Sequence, residues 1–256
     1  MDLGTLRREI DWRLQNTLTA SLPVIKRNVT TVERMIRELA PGQLNRFRQL
    51  AAQYPVDTWA SHCTPKEFLF NLYVLDVLDR HLPTDKPVGR GLDIGASSWS
   101  YLPALATATN RQWDGVEIDA HRRYWTLATR RAHAEFMCHR YPGCRYFPRS
   151  LLGVDGSYAC ITWFLPFVMP AALHAWRLPR RFYQPDLLLQ HAWSRLLPDG
   201  LMFVVNQGDR ETAEQRRLFT NHGIPANFVG ELTSVFSGFS QPRYAWTATK
   251  VVLTPE

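Results

Sequence analysis

The chain has 256 residues, a formal net charge of +7 and four cysteines, which is enough sequence for one large domain, or a domain with an appendage, and for a core that needs no staples. Cys63, Cys138, Cys144 and Cys160 are irregularly spaced and partly inside apolar runs, which excludes a disulfide scaffold and predicts reduced thiols in a cytoplasmic protein. The amino-terminal stretch MDLGTLRREIDWRL has charges where a signal peptide needs an apolar core, and the most apolar run, ACITWFLPFVMPAAL, is short and twice interrupted by proline, so no integral membrane span is expected.

The first 85 residues read as a helical amino-terminal region, with helices over Leu3–Thr17, Val32–Leu39 and Gln43–Gln53, and a fourth in TPKEFLFNLYVLDVLDRHL. In the fourth, Thr64 is placed to cap, Pro65 suits the first helical position and Glu67 completes a capping box. Phe68, Leu72, Leu75, Leu78 and Leu82 follow helical spacing and predict one buried face. From residue 86 to 256 the texture changes to short apolar strands alternating with helical stretches, the pattern of an α/β domain with a mainly parallel sheet. Strands are expected at GLDI, QWDGVEI, RYF, YACITWF and LMFVVN, with helices over Tyr101–Thr109, Arg122–His139, Leu187–Leu197 and Glu211–His222. NFVGELTSVF and RYAWTATKVVL suit two closing antiparallel strands.

The stretch GLDIGASSWSY, residues 91–101, is a strand followed by a turn and a helix, and GVEID ends the next strand with Glu117. An acid in that position, about twenty residues on, accepts the vicinal hydroxyls of a ribose in dinucleotide and adenosyl sites alike. A dinucleotide pyrophosphate calls for G-x-G-x-x-G, and two of its three glycines are missing here. Asp93 at the strand end repels phosphate and attracts a sulfonium or ammonium, which favours an adenosyl cation.

At these residues the chain resembles the class I S-adenosylmethionine-dependent methyltransferases. LDIGASSWS is similar to their first motif and GVEID to the second; DGSYACITWFLPF and LLPDGLMFVVNQ are similar to the fourth strand with its acceptor-side loop and to the turn into the fifth strand. The resemblance spans about Gly89–Lys250. It implies a Rossmann-like, mostly parallel seven-stranded sheet with helices on both faces, S-adenosylmethionine as cofactor, and methyl transfer to an acceptor that is a small molecule or a nucleic acid. Cofactor contacts are then expected at Asp93, Gly95, Ala96, Ser97, Glu117 and Ile118, and acceptor contacts at Trp163, Phe164, Pro166, Phe167 and Asn206. Ser97 and Trp99 stand where the family repeats glycine, and Trp99 either shields or obstructs the cofactor; obstruction would make the chain a binding or scaffolding module on RNA or a membrane surface. Where the family often has an acid for adenine after the third strand, Arg149 and Ser150 stand instead. Asp209 or Glu211 would be a general base if either reaches the pocket, and Asp209 alternatively caps a helix.

The segment HAWRLPRRFY mixes aromatics with Arg177, Arg180 and Arg181 and suits a lid, a nucleic-acid grip or an anionic membrane contact. His133, Cys138, His139 and Cys144 fit no common zinc module, so no metal is expected. No G-x-S-x-G elbow is present, which disfavours hydrolysis.

Overall fold

The computed structural model describes residues 3–24, 29–82 and 88–251. The amino-terminal helices are α1 (Leu3–Thr17), α2 (Val32–Arg37), α3 (Pro41–Ala51) and α4 (Pro65–His81). The capping box of α4 forms as its sequence predicts: Thr64 Oγ1 accepts from the Glu67 amide at 3.4 Å, and Glu67 Oε2 accepts from the Thr64 amide at 3.0 Å. Burial goes further than one face, because Asn71 and Asp76 are also fully enclosed. Asp76 accepts from Arg46, Arg80 and Ser234. Phe68, Leu72 and Leu75 of α4 share a core cluster with Trp113 and Phe203 of the sheet. The expected boundary at 85/86 lies outside the described residues.

The sheet strands are β1 (Gly91–Ile94), β2 (Trp113–Val116), β3 (Arg145–Phe147), β4 (Tyr158–Phe164), β5 (Leu196–Gln207), β6 (Ala226–Glu231) and β7 (Arg243–Thr249). They form one sheet in the order β3-β2-β1-β4-β5-β7-β6, parallel except for β7, which runs antiparallel to both β5 and β6. From β1 the chain winds outward to β2 and β3, then returns to place β4 on the other side of β1. The carboxyl ends of β1 and β4 therefore flank a topological switch point, where open α/β sheets leave a crevice.

Connecting helices are α5 (Leu102–Thr109), α6 (Arg130–Cys138), α7 (Pro170–Ala175), α8 (Pro185–Ser194) and α9 (Gly208–Asn221). Two depart from expectation. The helix predicted over Arg122–His139 begins only at Arg130, because Thr129 caps it by accepting from the Ala132 amide at 3.1 Å. Residues 122–129 instead form a protruding turn, closed by the Tyr124 amide on Ala128 O at 2.9 Å, and Arg122 and Arg130 at its base both reach Asp119. The short helix α7 was hidden inside an apolar run, with Pro170 at its start.

Close packing demands glycine at two strand positions. A Cβ on Gly91 would lie 2.4 Å from the Trp113 ring, and one on Gly115 would lie 2.9 Å from Trp99.

Candidate functional site

The turn after β1 is built by backbone hydrogen bonds and by side chains from two other elements. Gly95 and Ala96 amides donate to Val116 O at 2.9 and 3.2 Å. Tyr146 of β3 donates its hydroxyl to Ser97 O at 2.7 Å, and Asn71 of α4 donates to Ser100 O at 2.7 Å while accepting from the Ala104 amide at 3.0 Å. Thus one buried amide ties the turn to the first residues of α5. Nothing in the sequence pattern singles Asn71 out, because its function depends on a helix-to-loop contact across 29 residues.

Gly95, Ser97 and Trp99 all have positive φ, at 75°, 51° and 51°. The backbone keeps the left-handed course that repeated glycine would give it, at a cost of roughly 1–2 kcal/mol at each non-glycine position. Trp99 is fully buried, with its ring over Gly115 and 6.1 Å from the Tyr146 ring. It points into the core and is not part of the cavity wall.

That cavity, of about 340 Å³, opens at the carboxyl ends of β1, β2 and β4. Gly95, Ala96, Ser97, Glu117 and Ile118 line it, as do Trp163, Phe164 and Phe167. Glu117, only 7 % exposed, accepts from the Ser97 amide at 2.9 Å and from the Asp119 amide at 2.7 Å, one bond per oxygen. Each oxygen keeps a lone pair, so the carboxylate braces the turn and can still accept from a ligand. Phe70 of α4, Tyr101 and Phe164 form an edge-to-face series on another wall, with centroids 5.7 and 5.6 Å apart. Phe70 lies outside all the motifs and was not anticipated.

Three expected contacts sit elsewhere. Asp93 is fully buried behind the wall, where its two oxygens accept from Thr162 at 2.6 Å and Tyr101 at 2.7 Å. Strand alternation turns it away from the crevice, and two hydroxyls hold it there. Burial pushes its carboxyl up to about 7 against the pull of those hydrogen bonds. Tyr101 beside it is raised well above the ordinary phenol value, chiefly by burial. Pro166 faces a small adjoining hollow that shares Trp163, Phe167 and Leu188 with the main cavity. Asn206, fully buried, does not line the cavity either. It shares strand parity with Met202 and Val204, which belong to the core cluster on the other side of β5 from Phe203 and Val205.

Asp209 and Glu211 also lie away from the cavity. Glu211, rather than Asp209, braces the start of α9 by accepting from the Gln207 amide at 3.0 Å. After β3, Arg149 and Ser150 line the cavity with Leu151. The segment HAWRLPRRFY contributes Trp176, Leu178 and Phe182 as a covering wall. Arg130, which pairs with Asp119 at 3.1 Å, stacks its guanidinium 5.0 Å from the Trp176 ring and so joins this cover to the β2 side of the site. The cover is held from outside by α1: Trp12 packs on Phe182 at 4.9 Å, and Glu9 pairs with Arg181.

No protein-family model and no curated protein sequence matches this chain. Among solved structures it is similar to an S-adenosylmethionine-dependent methyltransferase from Aquifex aeolicus, with a TM-score of 0.52 and 12% identity, over 71% of this chain and 93% of that one. It is likewise similar to a methyltransferase from Pyrococcus furiosus, with a TM-score of 0.50 and 15% identity, over 71% and 83%. Likeness at such identities concerns architecture, and with the strand order and switch point above it establishes that this chain has the fold of the class I S-adenosylmethionine-dependent methyltransferases.

Proposed function

We propose that the protein binds S-adenosylmethionine in this cavity and transfers its methyl group to a small, largely apolar acceptor. The observation that carries the reading is Glu117: a carboxylate with free lone pairs on the wall of a mostly apolar cavity, braced against the turn that follows β1, with Arg130 Nη1 3.9 Å from one of its oxygens. The donor set fits an adenosyl ligand. A Cβ on Gly95 would meet nothing within 4 Å, so the backbone there leaves room for a ligand to approach. Glu117 would take the ribose hydroxyls, Ile118 and Leu151 would flank the base, and the turn from Gly95 to Ser97 would hold the amino-acid end.

The cofactor supplies an electrophilic methyl group and a thioether leaving group. The protein's part is to align the acceptor and keep water out, with Trp163, Phe164 and Phe167 walling the path. Among the described residues the cavity wall carries no histidine, and its only carboxylate is Glu117. The Tyr101 hydroxyl is committed to Asp93. The acceptor atom must therefore bring its own lone pair at working pH, as an unprotonated amine or an ionised thiolate does. Trp163, Phe164 and Phe167 give a small apolar acceptor its contact surface, and of the two cations that the described residues place on the wall Arg130 is already paired with Asp119, which leaves Arg149 alone to meet a nucleic-acid phosphate.

Trp99, the ground for an inactive scaffold, is buried outside the cavity and does not fill it; absence of cofactor binding would favour that alternative. The test is calorimetric titration with S-adenosylhomocysteine. Wild-type protein should bind, and Glu117→Ala should lose about 1.5–3 kcal/mol, the worth of hydrogen bonds to a charged group. Undiminished affinity in the variant removes the ribose assignment, and absence of wild-type binding removes the reading altogether.

A further inference from the structure

Helix α1 is mounted with its polarity reversed. Its inward side carries Glu9, Trp12 and Asn16, with Glu9 on Arg181 and Trp12 on Phe182. Leu6, Ile10 and Leu14, spaced four apart on one stripe, face solvent, and Leu18 and Leu22 extend the apolar series; all five are between 40% and 57% exposed. An amphipathic helix in a water-soluble domain normally does the opposite.

A second apolar projection stands beside it. The turn at residues 122–129 carries Trp125 at its tip, 94% exposed, with Leu127 also exposed. Hydrogen bonds make the two features one surface: Arg123 donates to Leu18 O and Ala20 O, and the Thr129 amide donates to Ser21 Oγ at 2.9 Å. Arg122 of the same turn donates to Trp176 O on the cavity cover. Segments 3–24, 122–129 and 176–184 together hold eight arginines against two carboxylates; Arg7, Arg13 and Arg181 pair with Asp11 or Glu9 and Arg122 with Asp119, so the surplus is carried by Arg8, Arg123, Arg177 and Arg180. Exposed leucines, a projecting tryptophan and an excess of guanidinium groups are the chemistry of an anionic lipid–water interface: aromatic and aliphatic groups enter the acyl boundary while arginines meet phosphates.

We propose that this face docks the protein on an anionic bilayer, with α1 lying along the surface and Trp125 inserted. The occupant is a lipid surface rather than a second copy because the surplus arginines of the face would confront one another across a symmetric dimer. Trp176, 41% exposed beside the docking turn, is also part of the cavity wall, so the cavity cover is brought close to the membrane. An apolar acceptor dissolved in the bilayer would then have a short path to it. That last consequence rests on the methyl-transfer reading; docking itself does not.

Vesicle co-sedimentation tests docking without reference to catalysis. Full-length protein is spun with vesicles of phosphatidylglycerol and phosphatidylcholine in equal parts, and with phosphatidylcholine alone. Wild-type protein should pellet with the mixed vesicles and stay in solution with the neutral ones. The pair Trp125→Ser and Leu127→Asn, both on exposed positions, should lower vesicle affinity about tenfold or more, as expected for removing two inserted side chains. The pair Arg177→Glu and Arg180→Glu should lower it comparably, and thermal unfolding should show that both variants fold. Docking is overturned if wild-type protein stays in solution with mixed vesicles, pellets equally with neutral ones, or is unaffected by either pair. It is also overturned if light scattering finds a dimer that the Trp125 and Leu127 pair dissolves, which would assign the face to a second copy.

Discussion

Asp93 gives a stability measurement whose sign the structure fixes. Its carboxyl is fully buried and raised from the ordinary 3.8 to about 7, chiefly by burial, with Thr162, Tyr101 and Trp99 pulling the other way and the nearby Glu117 adding to the rise. The folded state therefore keeps a proton that the unfolded chain has already lost between about pH 4 and pH 7. Stability is fullest below that window, declines as pH rises through it, and levels off above 7, where the buried charge is expressed in full. At about 1.4 kcal/mol per pH unit the whole window amounts to roughly 4 kcal/mol, of which about 2–3 kcal/mol falls between pH 5 and pH 8. Asp93→Asn removes the titration while keeping the shape and one acceptor for the two hydroxyls. Urea unfolding of both proteins at pH 5 and pH 8 isolates the effect, because groups not coupled to Asp93, such as His62, His81 and His121, contribute equally to both and cancel. The wild type should lose about 2–3 kcal/mol more than the variant on going to pH 8. An identical pH response in the two proteins would refute the assignment of a buried, proton-binding Asp93. With a cationic ligand in the cavity the charged carboxylate is favoured, so preference for S-adenosylmethionine over neutral S-adenosylhomocysteine should rise from pH 6 to pH 8 in wild type and stay flat in the variant.

Restoring glycine to the first turn should have opposite effects at two positions. Ser97→Gly relieves a left-handed residue and should be neutral or stabilising by up to about 1 kcal/mol after the added backbone entropy, whereas Trp99→Gly empties a core site and should cost about 2–4 kcal/mol net, both read by urea midpoint. Gly115→Ala should cost about 1–3 kcal/mol by pushing on the Trp99 ring, and combining it with Trp99→Leu should recover part of that in a double-mutant cycle. Asp76→Ala should cost about 3 kcal/mol, since it leaves Arg46, only 17% exposed, and Ser234 without a shared partner; loss below 1 kcal/mol would show that Asp79 and Tyr54 suffice to hold that network.

Local chemistry was legible wherever it acted within a few residues. Thr64, Pro65 and Glu67 announce α4, and alternating apolar runs announce the strands, because capping and pleat periodicity depend on near neighbours. Gly95 to Ser97, Glu117 and Ile118 reach the cavity because a turn between a strand and a helix has few ways to point. Asp93 sits behind the cavity wall because its direction is set by hydroxyls 8 and 69 residues distant, which no local pattern encodes. Asn206 lies away from the cavity because β5 as a whole does: none of its residues lines the wall. Helical periodicity continued through Arg122–Thr129, but Asp119 captured both Arg122 and Arg130 and folded the intervening residues into a turn. The outward leucines of α1 were unreadable because the sequence specifies a stripe and not the side it faces.

The missing glycines of the first turn have a counterpart elsewhere in the fold. What the turn requires is positive φ at residues 95, 97 and 99, and only the first is met by glycine. At residue 99 the left-handed strain of roughly 1–2 kcal/mol is offset by burial of the indole, whose apolar area is worth about 2–3 kcal/mol. That burial is possible only because residue 115 in the adjacent strand has no side chain: a Cβ there would stand 2.9 Å from the ring. The glycine expected in the loop has in effect moved to the strand beside it, and the tryptophan has been drawn inward by the space it left. An indole facing the other way would fill the crevice. Directed inward, it braces the turn from below and leaves Gly95, Ser97 and Glu117 on an open wall, so an unusual loop sequence and an accessible cavity follow from the same packing.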